Sequence, residues 1–224
     1  MEQERSTFFR REEKFEVIQR RLPHWTQAGT LSFLTFRTHD SMPASVMANW
    51  IESRNRILET FGIDATDGNW LIAMSKLPSQ ERFVLRRRLG TVWHGELDRC
   101  LGSCELRQPN LAKLVADSLL HFDRDRYLLT DFVVMPNHVH LVAAFPSEEM
   151  LLTQCRSWKR FTATGINREL GRSGRFWQQD GFDHLIRTES EFQFLREYVA
   201  LNPVRARLRE GEYVHWARPA DELI

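Results

Sequence analysis

Two histidines separated by one residue, His138 and His140, lie in the apolar run 133–145, VVMPNHVHLVAAF. On a β-strand, side chains at i and i+2 share a face and stand about 7 Å apart along the chain. The two rings can therefore converge on one ion while Val139 and Leu141 turn into the core. Neutral imidazole is the commonest protein ligand for metals. The alternative is a pair of hydrogen-bonded strand histidines with no ion. Burying two such rings in apolar surroundings costs free energy unless both are paired.

Two ligands hold a divalent ion poorly, and a third is expected on an element packed against the polar side of this strand. The segment YVALN offers Tyr198 and Asn202 at i and i+4, one helical turn apart. The amide oxygen of Asn202 suits a hard cation such as Mg2+ or Mn2+, and the set contains no thiolate that would argue for zinc. A phenol beside a Lewis acid that polarises a phosphate is a credible nucleophile. Tyr198 as a half-buried structural phenol donating to a carbonyl is the competing reading.

The elements that must position these residues are legible from periodicity. LSFLTFRTH (31–39) alternates as a strand. Residues 46–62 have helical spacing and end at Gly62, and residues 79–100 are expected to be helical. The stretch between them, DATDGNW, reads as loop. A helix over 111–122, capped by Asn110, buries Leu111, Leu114, Val115, Leu119 and Phe122. Residues 127–135 and 138–145 form a hairpin around Pro-Asn. A basic helix covers 149–170, and a strand interrupted at Gly181 covers 175–187. The last helix starts at Thr188, whose spacing to Glu191 is that of a capping box, and runs to about Leu201, where Asn-Pro-Val is expected to stop it.

Setting aside a mainly helical insertion at about 41–109, the order is β-α-β-β-α-β, the ferredoxin-like pattern. The fold class is α+β, with a central antiparallel sheet and the helices expected on one face. Residues 1–30 read as an N-terminal extension, 31–215 as one domain containing the insertion, and 216–224 as a short tail.

The 224 residues are ordinary for a soluble chain, with 42% hydrophobic and 27% charged residues. No run of about 18 apolar residues and no signal-peptide pattern occurs, so a cytoplasmic protein without a membrane partner is expected. Three cysteines are too few for a disulfide framework. Net charge is only +1, but residues 156–175 carry Arg156, Lys159, Arg160, Arg168, Arg172 and Arg175 against the single acid Glu169. Such a cluster suits a polyanion, or else is a solvated helix face.

Four stretches, VVMPNHVHLV, SWKRFTA, FWQQDGFDHLIR and YVALNPVRA, occur here in the order found in the single-tyrosine HUH transposases. The chain most resembles their REP-associated branch, strongly over 98–207 and weakly over 31–39. The resemblance implies a ferredoxin-like HUH endonuclease core with Tyr198 as nucleophile and His138, His140 and Asn202 as ligands of Mg2+ or Mn2+. It implies transesterification on single-stranded, hairpin-forming repeat DNA through a 5′-phosphotyrosine. Arg156, Lys159, Arg160 and Arg175 would meet phosphates; Trp158, Phe176 and Trp177 are candidates to stack unpaired bases, with ordinary core packing as the alternative. Both a monomer and a homodimer are compatible with it. The chain departs from the pattern at Gly181, where an aromatic is usual, and at Arg124 and Arg207, where glycine is usual. Rival functions are a catalytically silent DNA-binding regulator of the same fold, and a metal-dependent phosphohydrolase without a tyrosyl intermediate.

Overall fold

A computed structural model describes residues 8, 16–19, 23–26, 28–179 and 181–223. Much of the expected N-terminal extension lies outside the described residues. The chain divides into two compact units, Asp40–Gly102 and the remainder on either side of it.

The larger unit is built on a five-stranded antiparallel sheet. Its strands are β3 (Leu31–Arg37), β4 (Leu128–Val134), β5 (His138–Ala144), β6 (Phe182–Leu185) and β7 (Val214–Ala217), in the order β6-β3-β5-β4-β7. A separate hairpin pairs β1 (Glu16–Gln19) with β2 (Pro23–Thr26). Among the described residues, this unit carries the α-helices α4 (Pro109–Leu120), α5 (Glu148–Glu169) and α6 (Glu189–Arg205). Without β7, the strand order is that of the ferredoxin-like sheet, so the fold is α+β as the sequence order implied.

One expectation about the layers is corrected. Leu34, Phe36, Phe132, Val139 and Leu141 pack with Leu111, Val115 and Leu119 of α4 and Leu151, Trp158 and Ile166 of α5 in one core. Phe33, Thr35, His138 and His140 alternate with those residues and face the other way, where the ring of Tyr198 on α6 meets Phe33 and His140. Helices therefore cover both faces: α4 and α5 on one, α6 on the other. The strands gave no warning, because all seven residues of β5 are buried and the usual polar alternation that marks an open face is missing.

α5 begins at Ser147, whose hydroxyl accepts from the Met150 amide at 3.1 Å. α4 starts one residue before the expected cap: Pro109 takes the first turn, and Asn110 instead donates to Glu169 Oε1 at 3.2 Å. The strand expected over 175–187 is confined to Phe182–Leu185, with a lone bridge between Trp177 and Thr38. A Cβ at Gly181 would stand 3.0 Å from the Thr35 carbonyl oxygen, so glycine lets this segment approach β3. Sequence reading overlooked β7, which pairs with β4.

The Asp40–Gly102 unit contains α1 (Ala44–Glu59), α2 (Trp70–Lys76) and α3 (Ser79–Leu97). Leu58, Ile63, Met74 and Leu85 form its core. The seven-residue α2 falls partly in a stretch read as loop, being too short to show a helical period.

Candidate active site

β5 lies between β3 and β4, with His140 opposite Thr35 and His138 opposite Arg37. Both imidazoles are fully buried, and their ring centroids are 4.6 Å apart. Each ring is held through Nδ1. Thr35 Oγ1 lies 2.7 Å from His140 Nδ1, and Asn137 Oδ1 lies 2.7 Å from His138 Nδ1. With Asn137 Oδ1 accepting, His138 Nδ1 carries the proton and Nε2 keeps its lone pair. That is the tautomer a metal ligand needs, fixed by an outer hydrogen bond as in known metal sites. Phe33 stacks on His140 at 5.3 Å.

Sequence reasoning missed Thr35, and took Asn137 as a turn residue. It does stand in the turn that the Met135 amide closes on the His138 carbonyl at 2.8 Å, and its own carbonyl accepts from the Thr38 amide at 2.8 Å, extending the β3–β5 pairing. The signal for Thr35 was a hydroxyl on the strand opposite a histidine, and it required the β3–β5 register to be seen.

α6 brings the phenol. Its N-terminus is a capping box with an altered return: the Glu191 amide donates to Thr188 Oγ1 at 3.1 Å, while Glu191 Oε2 accepts from the Arg187 amide at 2.8 Å. Glu191 Oε1 also pairs with His184 Nε2 on β6 at 2.8 Å. Burial pushes the Glu191 carboxyl up, but the His184 hydrogen bond and charge together with the Arg187 contacts outweigh it and hold the group below its ordinary value. Midway along, Arg196 Nε donates to both oxygens of Asp131 on β4 at 3.0 Å. Asp131 is 1% exposed, and burial raises its carboxyl in spite of Arg196. Phe192, Leu195 and Val199 are buried along the same helix.

So anchored, α6 places Tyr198 Oη 3.4 Å from His140 Nε2, with ring centroids 5.3 Å apart. The phenol is half-buried. The Arg205 guanidinium lies 5.4 Å from the centre of the Tyr198 ring. Asn202 is fully buried one turn beyond Tyr198. Two imidazoles oriented through Nδ1, with a buried amide on the neighbouring helix, are a donor set that fits a hard or borderline divalent ion.

Pro203 does not stop α6 as expected. It removes only its own donor, and the helix continues to Arg205, with Ala206 N bonded to the Asn202 carbonyl at 3.0 Å. The end is a Schellman motif: Leu208 N donates to Pro203 O at 2.9 Å and Arg207 N to Val204 O at 3.0 Å. Arg207 accordingly has φ +55°, and Arg124 has φ +66°. These are the two positions where the sequence departs from glycine, and both adopt the left-handed backbone that glycine favours.

The residues expected to meet DNA separate into two groups. Arg156, Arg160 and Arg175 are exposed. Lys159 instead donates to the carbonyls of Gln178 and Gln179, both at 3.1 Å, so it does not extend the ridge of Arg156 and Arg160. Trp158 and Trp177 are corrected: both are core residues, 1% and 5% exposed. Trp158 Nε1 donates to the Ser118 carbonyl and Trp177 Nε1 to Thr162 Oγ1. Phe176 is equally buried. None of these three rings offers a face to a base.

The fold and site together define an α+β protein with a ferredoxin-like sheet, a buried histidine pair and a tyrosine facing it from the last long helix. No family model and no curated protein matches the chain. A solved structure of a REP-associated tyrosine transposase bound to a REP hairpin aligns with 81% of this chain and 71% of its own, at 15% identity and a TM-score of 0.42. Among the described residues, no helix is long and apolar enough to cross a membrane.

Proposed function

We propose that this chain is a metal-dependent single-strand DNA endonuclease and strand transferase of the REP-associated tyrosine transposase type, with Tyr198 as nucleophile. The observation that supports this most is the 3.4 Å approach of Tyr198 Oη to His140 Nε2, on the face of the sheet where both imidazoles lie. Two of the four sequence motifs that carry the resemblance contain these same residues.

The Tyr198 oxygen attacks a phosphodiester phosphorus as the bond to the 3′ oxygen breaks. The phenol gives up one proton and the leaving oxygen gains one, so a 5′-phosphotyrosine and a 3′-hydroxyl form without net consumption of protons or nucleotide cofactor. Attack by a 3′-hydroxyl on the phosphotyrosine reverses the step and joins strands. His138, His140 and Asn202 would hold Mg2+ or Mn2+, which supplies charge neutralisation at a phosphoryl oxygen. Thr35 and Asn137 fix the imidazole planes, α6 fixes the phenol, and exposed cations such as Arg175 and Arg205 meet backbone phosphates.

The test is a denaturing gel of labelled single-stranded hairpin DNA incubated with the protein and Mg2+ or Mn2+. A covalent protein–DNA band is expected, abolished in Tyr198→Phe with DNA binding retained. Cleavage without such a band would identify a phosphohydrolase instead, and binding without cleavage a regulator.

A further inference from the structure

The face of the sheet away from Tyr198 carries a groove of its own. α4 contributes Leu114 to its wall, and α5 contributes Arg156, Arg160, Phe161, Gly165 and Arg168. Gly165 lets Leu114 pack against α5 on this wall: a Cβ there would stand 2.7 Å from Leu114 Cδ1. All three arginines are exposed. Arg156 donates to Thr153 Oγ1 at 3.3 Å, and among the described residues none of the three takes part in an ion pair. No acidic residue occurs between positions 156 and 168. Phe161 sits among them 64% exposed, although α5 has a well-filled buried face in Leu151, Trp158 and Ile166.

This combination has a specific chemistry. Three cations without acidic partners, spread over about 18 Å of helix, complement a polyanion. An aromatic ring presented to solvent between them adds a π surface, which is useful to an unpaired base and useless to a paired one. A duplex would engage the arginines and leave the ring without a partner.

We propose that the α4–α5 groove is a second single-stranded nucleic-acid site, in which Phe161 stacks one base and Arg156, Arg160 and Arg168 take the neighbouring phosphates. That its strand is DNA rests on the function proposed above; the groove itself does not. Because the sheet lies between the groove and Tyr198, the segment held here is distinct from the bond being cut. The protein would grip its substrate at two separated places.

The experiment uses the full chain and a fluorescein-labelled oligothymidylate of about 16 nucleotides, followed by anisotropy over a range of KCl concentrations without divalent ions. Phe161→Ala is expected to weaken binding about tenfold. Arg156→Gln, Arg160→Gln and Arg168→Gln combined should lower the slope of log affinity against log salt by about 2, at about 0.7 per phosphate on a single strand. All four positions are exposed, and thermal melts matching the parent chain check that the variants fold; the single charge reversal Arg168→Glu provides an independent reading. Unchanged affinity and slope in these variants would overturn the proposal. So would a loss confined to duplex probes with Phe161→Ala silent, which marks a phosphate-only surface. Parent-chain self-association abolished by Phe161→Ala would make the groove a contact between copies. The covalent-band assay is scored separately: loss of that band with groove binding intact removes the transferase reading and leaves the groove standing, and the reverse result removes only the groove.

Discussion

Replacing Thr35 by valine tests whether the histidine pair is positioned for chemistry or merely buried. The change keeps the shape of the side chain and deletes the 2.7 Å contact to His140 Nδ1. Deleting one partner of this contact beside the fully buried His140 ring costs about 1–3 kcal/mol. For a chain of this length that lowers Tm by roughly 2–4 °C per kcal/mol. Against a typical total of about 5–15 kcal/mol, the variant remains almost entirely folded at 25 °C. A purely structural threonine therefore predicts unchanged behaviour in an assay at room temperature. A threonine that orients a metal-binding imidazole predicts a loss of about 10- to 100-fold in metal affinity. Two measurements separate these outcomes: the Mn2+ concentration giving half-maximal covalent complex, and direct Mn2+ binding followed by electron paramagnetic resonance without DNA. Thr35→Ser, which restores the hydroxyl, should recover both. If Thr35→Val binds Mn2+ as tightly as the parent chain, orientation through Nδ1 is not what tunes this site.

Two further predictions concern the scaffold. The Tyr127 hydroxyl donates to the Leu119 carbonyl at 2.6 Å, and burial pushes its pKa up to about 12. The folded state thus favours the neutral phenol, so this contribution to stability is complete below pH about 10 and is lost as the pH rises from there through about 12. Phenolate absorbance should show a late-titrating step in the folded chain that belongs to Tyr127. Tyr127→Phe should remove that late step and lower Tm by roughly 2–4 °C at neutral pH; a late step persisting in the variant would contradict the assignment. At the end of α6, Arg207→Gly relieves a left-handed backbone at φ +55° and should raise stability by about 1 kcal/mol, read as a higher Tm. An equal or lower Tm would show that the Arg207 side chain makes up for the strain.

The sequence disclosed local order well and depth poorly. His138 and His140 announce a shared face because strand periodicity is strict, and Thr188 with Glu191 marks the start of α6 because capping chemistry is local. That helices would cover both faces of the sheet was illegible, since β5 is buried on both sides and shows no alternation, even though the last helix was read against the histidine side. Trp158 and Trp177 read equally well as stacking platforms until Ser118 and Thr162 are seen receiving their indole N–H groups. Lys159 shared a helical stripe with Arg156 and Arg160, and only the path of residues 178–179 reveals that it is engaged elsewhere. In each case the deciding partner is distant in sequence. At Arg124 and Arg207 the departure from glycine was noted in the sequence, but the left-handed backbone that explains glycine's preference there is seen only in the structure.

The central position of β5 sets how this protein would fail under heat. Strands paired along both edges and covered on both faces are among the last parts of a domain to open, whereas termini and loops fray first. The paired imidazoles sit on such a strand, so partial melting elsewhere leaves their arrangement untouched. The imidazole pair would then be among the last parts of the site to come apart on warming, whatever happens first to the helix that carries Tyr198.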